Sequence, residues 1–293
     1  MIRSAATILL VLALHVSAYS ADKLFAVAAT HAPVLNSPDF VSVFGGSDGK
    51  TLQKDSCGQL RPLEFVALPG TVFRIEEALV ISDRKIFRVT TDEYPYPSKS
   101  GYFVDAGAVS VSGAKPVERR KILPSAETVL SAMKKRVGTG YVWGGNVAAG
   151  VPEMTSWYPP SGSTSLSNTD RKLRQLAGVD CSGLLYEATG GYTPRNTSAL
   201  LEFGVPVTVA GKSQKEIVSL LQPLDLIVWP GHVMIVIDGG NIIESRLVCN
   251  EPDKGVRMRT TADALRDVMK KRKPADVIKN GGKEFVVRRW YGI

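Results

Sequence analysis

Residues 178–191, GVDCSGLLYEATGG, decide how this chain is read. Asp180 precedes an apolar pattern and Gly190 and Gly191 close it, so a helix is expected from about 181 to 189 with Cys181 in its first turn. Unpaired backbone N–H groups and the helix dipole meet at that turn, and both favour the nucleophilic thiolate. A lone cysteine beside apolar residues is more often packing material than chemistry. Cys181 therefore gains meaning only if the chain supplies a base.

The candidates are few, because the sequence has three histidines: His15, His31 and His232. His15 lies in an N-terminal apolar run and His31 reads as structural. His232 opens the second of three β-type runs in residues 222–248, QPLDLIVWPGHVMIVIDGGNIIESRLV, which turn at Pro230-Gly231 and again at 238–241. These runs are almost continuously apolar, as expected for strands covered on both faces. Residues 283–293, KEFVVRRWYGI, read as a closing strand.

Upstream, Ser125 can cap a helix through residues 126–138, with Glu127 in its first turn, Lys134 to Arg136 near its end and Gly138 as the stop. Residues 150–170, GVPEMTSWYPPSGSTSLSNTD, are rich in Gly, Pro and Ser and too long for an ordinary connection. A lid is expected there, with Trp157, Tyr158, Pro159 and Pro160 covering a cleft. Residues 24–112 carry short β-type runs, among them FVSVF (40–44), FVALPG (65–70) and KIFRVTT (85–91), and read as a small all-β barrel or sandwich. Residues 113–124 hold charges and two prolines without apolar periodicity and read as a linker.

The chain starts with Arg3, an apolar run from Ala5 to Val16, and small residues suited to cleavage after Ala18 or Ser20. Residues 1–20 thus read as a secretory signal peptide whose apolar core is too short to span a bilayer comfortably, and no stable membrane insertion is expected once it is cut; left uncleaved, it would serve as an anchor. A periplasmic or secreted location follows. At 293 residues and 44% hydrophobic composition the chain can bury a real core. Its net charge of +8 favours anionic partners, yet Lys and Arg are scattered without an aromatic-interleaved basic motif, and export argues against nucleic acid. Cys57, Cys181 and Cys249 are an odd set for an oxidising compartment. Either one thiol is left over or all three are reduced, and a Cys57–Cys249 pair would leave Cys181 free. No paired spacing suits zinc, and no metal or other cofactor is expected.

Three sets of residues carry a family resemblance: YVWGG (141–145), VDCSGLLYEATGGYTPRNTS (179–198) and LQPLDLIVWPGHVMIVIDGGNIIES (221–245). In motif and in order they resemble the NlpC-type family of papain-like bacterial cell-wall cysteine peptidases. The upstream β region looks like the bacterial SH3-like module that often accompanies it. The resemblance implies an α+β chain: an SH3-like barrel over 24–112, the linker 113–124, and a papain-like domain with an antiparallel sheet and helices over 125–293.

It also implies roles. Cys181 attacks an amide carbonyl, His232 takes and returns the proton, and a third polar residue on the next strand orients the imidazole. The family usually has His, Asn or Gln at that third position, whereas this chain has Glu244. A carboxylate can do the work by accepting from the imidazole Nδ1–H. Side-chain alternation adds a condition, since a two-residue loop at Gly239-Gly240 would put His232 and Glu244 on opposite faces, so an odd loop is required.

Backbone N–H groups at the helix start, with Tyr141 nearby, would stabilise the oxyanion. The implied substrates are peptidoglycan stem peptides or muropeptides, cut between γ-D-glutamate and a diamino acid, with the free amine of L-alanine gripped by Asp180 and Ser182. Asp180 can equally be a helix N-cap. Asn196, Thr197 and Trp143 would contact substrate, and Glu76, Glu77 or Asp105 could add an acid from the β region. The chain can act as a monomer. The same pair of groups would also serve a muramoyl-L-alanine amidase or an acyl transferase, and the remaining reading is a non-catalytic wall-binding protein.

Overall fold

A computed structural model describes residues 24–45, 51–160, 166–249, 254–279 and 282–292. The expected signal peptide, 1–20, lies outside the described residues. The chain is mixed α and β, with sheets of mainly antiparallel pairing.

The first half holds strands β1 (Phe25–Ala28), β2 (Ala32–Leu35), β3 (Leu63–Ala67), β4 (Val72–Ile81), β5 (Arg84–Thr90), β6 (Tyr102–Asp105) and β7 (Val109–Ser112), with helix α1 (Phe40–Gly45) inserted. The strands pair in the order β3-β2-β6-β5-β4-β1-β7. The end strands β3 and β7 do not meet, so the expected closed barrel does not form among the described residues. One open edge is closed differently. The Asn146 side chain, from the second half, accepts from Val66 N on β3 at 2.9 Å and donates to Val66 O at 2.8 Å. That covers an edge that would otherwise invite pairing.

Residues 40–44, expected as a β run, are helical. Asp39 Oδ1 accepts from Ser42 N at 3.0 Å, and Phe40, Val43 and Phe44 fall on one face and are buried. Short apolar runs fit either period, and here the cap and the neighbouring core decide.

The second half holds helices α2 (Ala126–Lys134), α3 (Met154–Trp157), α4 (Asn168–Arg174), α5 (Cys181–Ala188), α6 (Thr197–Leu200), α7 (Gln214–Leu220) and α8 (Thr261–Met269). Its strands are β8 (Asn146–Val147), β9 (Gly178–Val179), β10 (Val205–Val207), β11 (Leu226–Trp229), β12 (His232–Val236), β13 (Asn241–Arg246), β14 (Gly255–Thr260), β15 (Lys273–Pro274) and β16 (Glu284–Arg289). The main sheet runs β10-β16-β11-β12-β13-β14, so the strand expected to close the chain sits inside it. Alternation along β16 explains the place: Val286 joins one core with α2 and α5, while Phe285 and Val287 join the other with α7 and α8. Both faces are covered, which is why β11 to β13 are nearly all apolar.

The two halves share a core. Leu35, Phe40, Phe44 and Phe103 pack with Val142, Val151, Tyr158 and Leu176 in one cluster. A disulfide between Cys57 and Cys249 ties the same halves. The segment expected as a lid is part of this junction. Tyr158 stacks on Phe40 at 6.0 Å, lies 5.2 Å from Phe44, and donates its hydroxyl to Asp105. Its aromatic side chains fill the seam because two phenylalanines of α1 offer them a dry surface. Residues 113–124 hold no regular element, and Arg119 within them pairs with Glu93 at 2.6 Å.

Candidate functional site

Asp180 caps α5, its Oδ1 accepting from Gly183 N at 2.6 Å. The helix start is pressed against the loop of residues 141–145. A Cβ on Gly183 would lie 2.0 Å from Gly145 O, so only glycine permits this approach. Gly145 O in turn accepts from Asp180 N at 2.9 Å. On the other side Ser245 donates to Val179 O at 2.6 Å, which fixes Cys181 relative to β13. Cys181 is buried and is the free thiol among the described residues.

Ile235 pairs with Ile243 and Val236 with Ile242. With Ile237 N donating to Asn241 O at 2.9 Å, three residues remain in the turn, Asp238 to Gly240. This is the odd loop that alternation demands, and it puts His232 and Glu244 on one face. His232 Nε2 lies 2.8 Å from Glu244 Oε2. The carboxylate therefore engages Nε2, not the Nδ1 expected from the sequence.

Burial by itself would lower the His232 pKa. Hydrogen bonds to Cys181 and Glu244, and the charge on both, outweigh it and raise the value to about 9. Burial would likewise raise Glu244, but His232 and Arg257 hold its carboxyl down at about 2. Arg257 donates to Glu244 Oε1 from Nε at 3.1 Å and from Nη2 at 3.0 Å, and Arg259 stands 3.7 Å from the same oxygen. Near neutral pH the ring is thus held as an imidazolium against a fixed carboxylate.

A cavity of about 670 Å³ is lined by His232, Glu244, Tyr141 and Trp143 among others, while Cys181 is not among its lining residues. The Tyr141 hydroxyl is pushed well above its ordinary range, first by burial and then by the charges of Asp180 and Cys181. Trp143 carries the Arg61 guanidinium over its ring at 4.1 Å.

The remaining sequence-derived residues are placed elsewhere. Both oxygens of Asp180 are engaged by buried Arg195, Nη1 on Oδ1 at 3.0 Å and Nη2 on Oδ2 at 2.7 Å. Ser182 Oγ also accepts from Arg195 at 2.9 Å. Asn196 caps α6 through Ser198 N at 3.1 Å, and neither it nor Thr197 lines the cavity. Asp105 is buried against Arg84 and Tyr158, Glu76 faces Arg88 at 3.7 Å, and neither these nor Glu77 reach the cavity. Sequence reasoning missed the roles of Arg195, Arg257 and Arg259. The last two had a signal, since alternate arginines on one strand project to one side. Among the described residues no three His, Cys, Asp or Glu gather as a metal would need, and no helix is long and apolar enough to cross a membrane.

No family model matches the chain, and no curated protein matches it in sequence. Solved structures that match are NlpC/P60 proteins. An NlpC/P60 family protein from Bacillus cereus is 16% identical with a TM-score of 0.33, covering 92% of this chain and 64% of its own. The peptidoglycan hydrolase RipB from Mycobacterium tuberculosis is 22% identical with a TM-score of 0.30, covering 56% of this chain and 64% of its own. RipD from the same organism, a non-catalytic NlpC/p60 domain protein adapted to peptidoglycan binding, is 17% identical with a TM-score of 0.31, covering 56% of this chain and 95% of its own. The chain thus spans just under two thirds of the first two proteins.

Proposed function

We propose that this chain is an exported cysteine endopeptidase that hydrolyses peptidoglycan stem peptides at the bond between γ-D-glutamate and a diamino acid. The observation that carries the reading is His232 Nε2 at 2.8 Å from the Glu244 carboxylate, with the free, buried Cys181 at the first residue of α5 among the groups that act on the ring. The substrate comes from the motif resemblance of residues 141–145, 179–198 and 221–245.

In this reading the Cys181 sulfur attacks the γ-carbonyl carbon and a tetrahedral oxyanion forms. Gly183 N–H is bound to Asp180 and Leu184 N–H to the Asp180 carbonyl, so the amides of Cys181 and Ser182 are the helix-start donors left for that oxyanion. Tyr141 stands beside them. His232 then gives its proton to the leaving amine as the C–N bond breaks, leaving a thioester. Water, deprotonated by the same ring, adds to the thioester and releases the acid. Glu244 holds the ring orientation and offsets its charge throughout.

Substrate contacts are assigned to Trp143, Asp180, Ser182, Asn196 and Thr197. An ammonium at Asp180 shares that carboxylate with Arg195. The reading includes an SH3-like module over 24–112, the linker 113–124, the peptidase unit over 125–293, and action in the periplasm or outside the cell. It needs no cofactor. Incubation with L-Ala-γ-D-Glu-diaminopimelate should release L-Ala-γ-D-Glu, and Cys181→Ala should abolish the release. With intact muropeptides, release of the whole peptide from muramic acid instead would make the protein an amidase.

A further inference from the structure

The cavity beside His232 is walled by cations, and most of them are already engaged. Arg259 pairs with Asp267 at 2.5 Å, and Lys270 pairs with the same acid at 3.0 Å. Arg61 pairs with Asp55 at 2.5 Å and covers Trp143. Arg272 donates to Gly282 O and lies 5.3 Å from the Trp229 ring. Lys271 also lines the cavity without a side-chain partner among the described residues, but it is exposed. Arg246 lines the cavity, is half-buried, and its side chain has neither an acid nor a hydrogen-bond partner among the described residues.

Its place in the sheet makes that vacancy informative. Arg246 lies two residues beyond Glu244 on β13, so it projects to the same face. Arg246 and His232 both line the cavity. Across from Arg246, β14 presents Gly255, against which the backbone of Thr139 and Gly140 is packed. A partly desolvated guanidinium that meets no acid among the described residues is suited to receive a carboxylate, because the fork of N–H groups matches a carboxylate's two oxygens.

We infer that Arg246 is a specificity-determining residue that binds a carboxylate on the leaving fragment. This rests on the peptidase reading above. His232 must reach the leaving amine to protonate it, so the fragment bearing that amine lies along His232, in the cavity that Arg246 also lines. Stem peptides whose diamino residue keeps a free carboxylate are the favoured substrates, and those amidated there are disfavoured.

The test pairs two peptides, L-Ala-γ-D-Glu-diaminopimelate and its form amidated on the diamino residue, with wild type, Arg246→Gln and Arg246→Lys. Wild type should favour the free acid by roughly tenfold or more in kcat/KM, mainly through KM, as expected for a charge-assisted bond. Arg246→Gln should shrink that gap to within about twofold, and Arg246→Lys should keep part of it. Calorimetry on Cys181→Ala reads the same preference as binding, without turnover. Equal handling of both peptides by wild type would overturn the inference while leaving the peptidase reading intact. Preference for the free acid in binding, lost in Arg246→Gln but with no cleavage by wild type, would support the subsite and overturn the peptidase reading alone.

Discussion

Arg257 places two hydrogen bonds, at 3.1 and 3.0 Å, on Oε1 of Glu244 and leaves Oε2 to His232. The carboxylate is thus anchored on one side while it orients the imidazole on the other. The two residues face each other directly across β13 and β14, so the anchor is as rigid as the sheet.

This arrangement predicts a pH profile. The His232 pKa is raised to about 9 by Cys181 and Glu244, so the imidazolium that protonates the leaving amine is lost as pH rises through that value. kcat/KM should fall on the alkaline side near pH 9. Glu244→Gln keeps an acceptor but removes a charge, so the alkaline limb should move toward the ordinary histidine value near 6.5. Glu244→Ala also frees the ring, and should lower kcat by roughly 10²- to 10⁴-fold. An alkaline limb unmoved in Glu244→Gln would remove Glu244 from the mechanism.

The same pair links pH to stability. A folded value near 9 for His232 gives stability that is complete below its unfolded value and fades as pH rises through 9. Glu244, held down at about 2, gives stability that is present above its unfolded value and fades as pH falls through 2. Urea unfolding of wild type against Glu244→Gln should show the largest gap between these limits and a shrinking gap toward either end.

Arg195 makes a stability prediction of another kind. It is buried, and it satisfies both Asp180 oxygens, Ser182 Oγ, Gly145 O at 3.1 Å and Asn146 Oδ1 at 3.2 Å. Arg195→Met leaves a carboxylate desolvated and without its cation, and should destabilise the fold by about 3–5 kcal/mol. Asp180→Asn together with Arg195→Met should recover part of that loss. Additive losses in the double variant, by denaturant midpoint, would show that the two groups are not a pair.

The Cys57–Cys249 bridge spans 192 positions in sequence and joins the halves whose cores merge. Replacing both cysteines by serine should destabilise the protein by about 2–5 kcal/mol. Cys181 stands apart from the bridge, so its alkylation should be unaffected at temperatures where the double variant stays folded. Equal thermal midpoints for wild type and double variant would contradict the bridge.

What the sequence disclosed was local. The α5 cap, its glycine stop, the β11 to β13 meander and the need for an odd turn all follow from neighbours within a dozen residues. The shared core of the two halves was hidden, because Phe40, Tyr158 and Val142 meet only through the fold. For the same reason Asn146 on the edge of β3 and Arg195 on Asp180 carry no signal in the linear order. Residues 40–44 read as a strand because so short a run, four apolar residues around Ser42, fits either period, and the segment at 150–160 reads as a lid because its aromatics could equally cover a cleft or fill a seam. Which imidazole nitrogen meets Glu244 depends on how the ring enters the hairpin, which strand periodicity leaves open.

The central claim is that Cys181 and His232 act as one nucleophilic unit, and iodoacetamide reads it most directly. Mass spectrometry at pH 6.5 should find Cys181 of the native protein alkylated far faster than in His232→Ala. Slow alkylation at the same rate in both proteins would contradict the account.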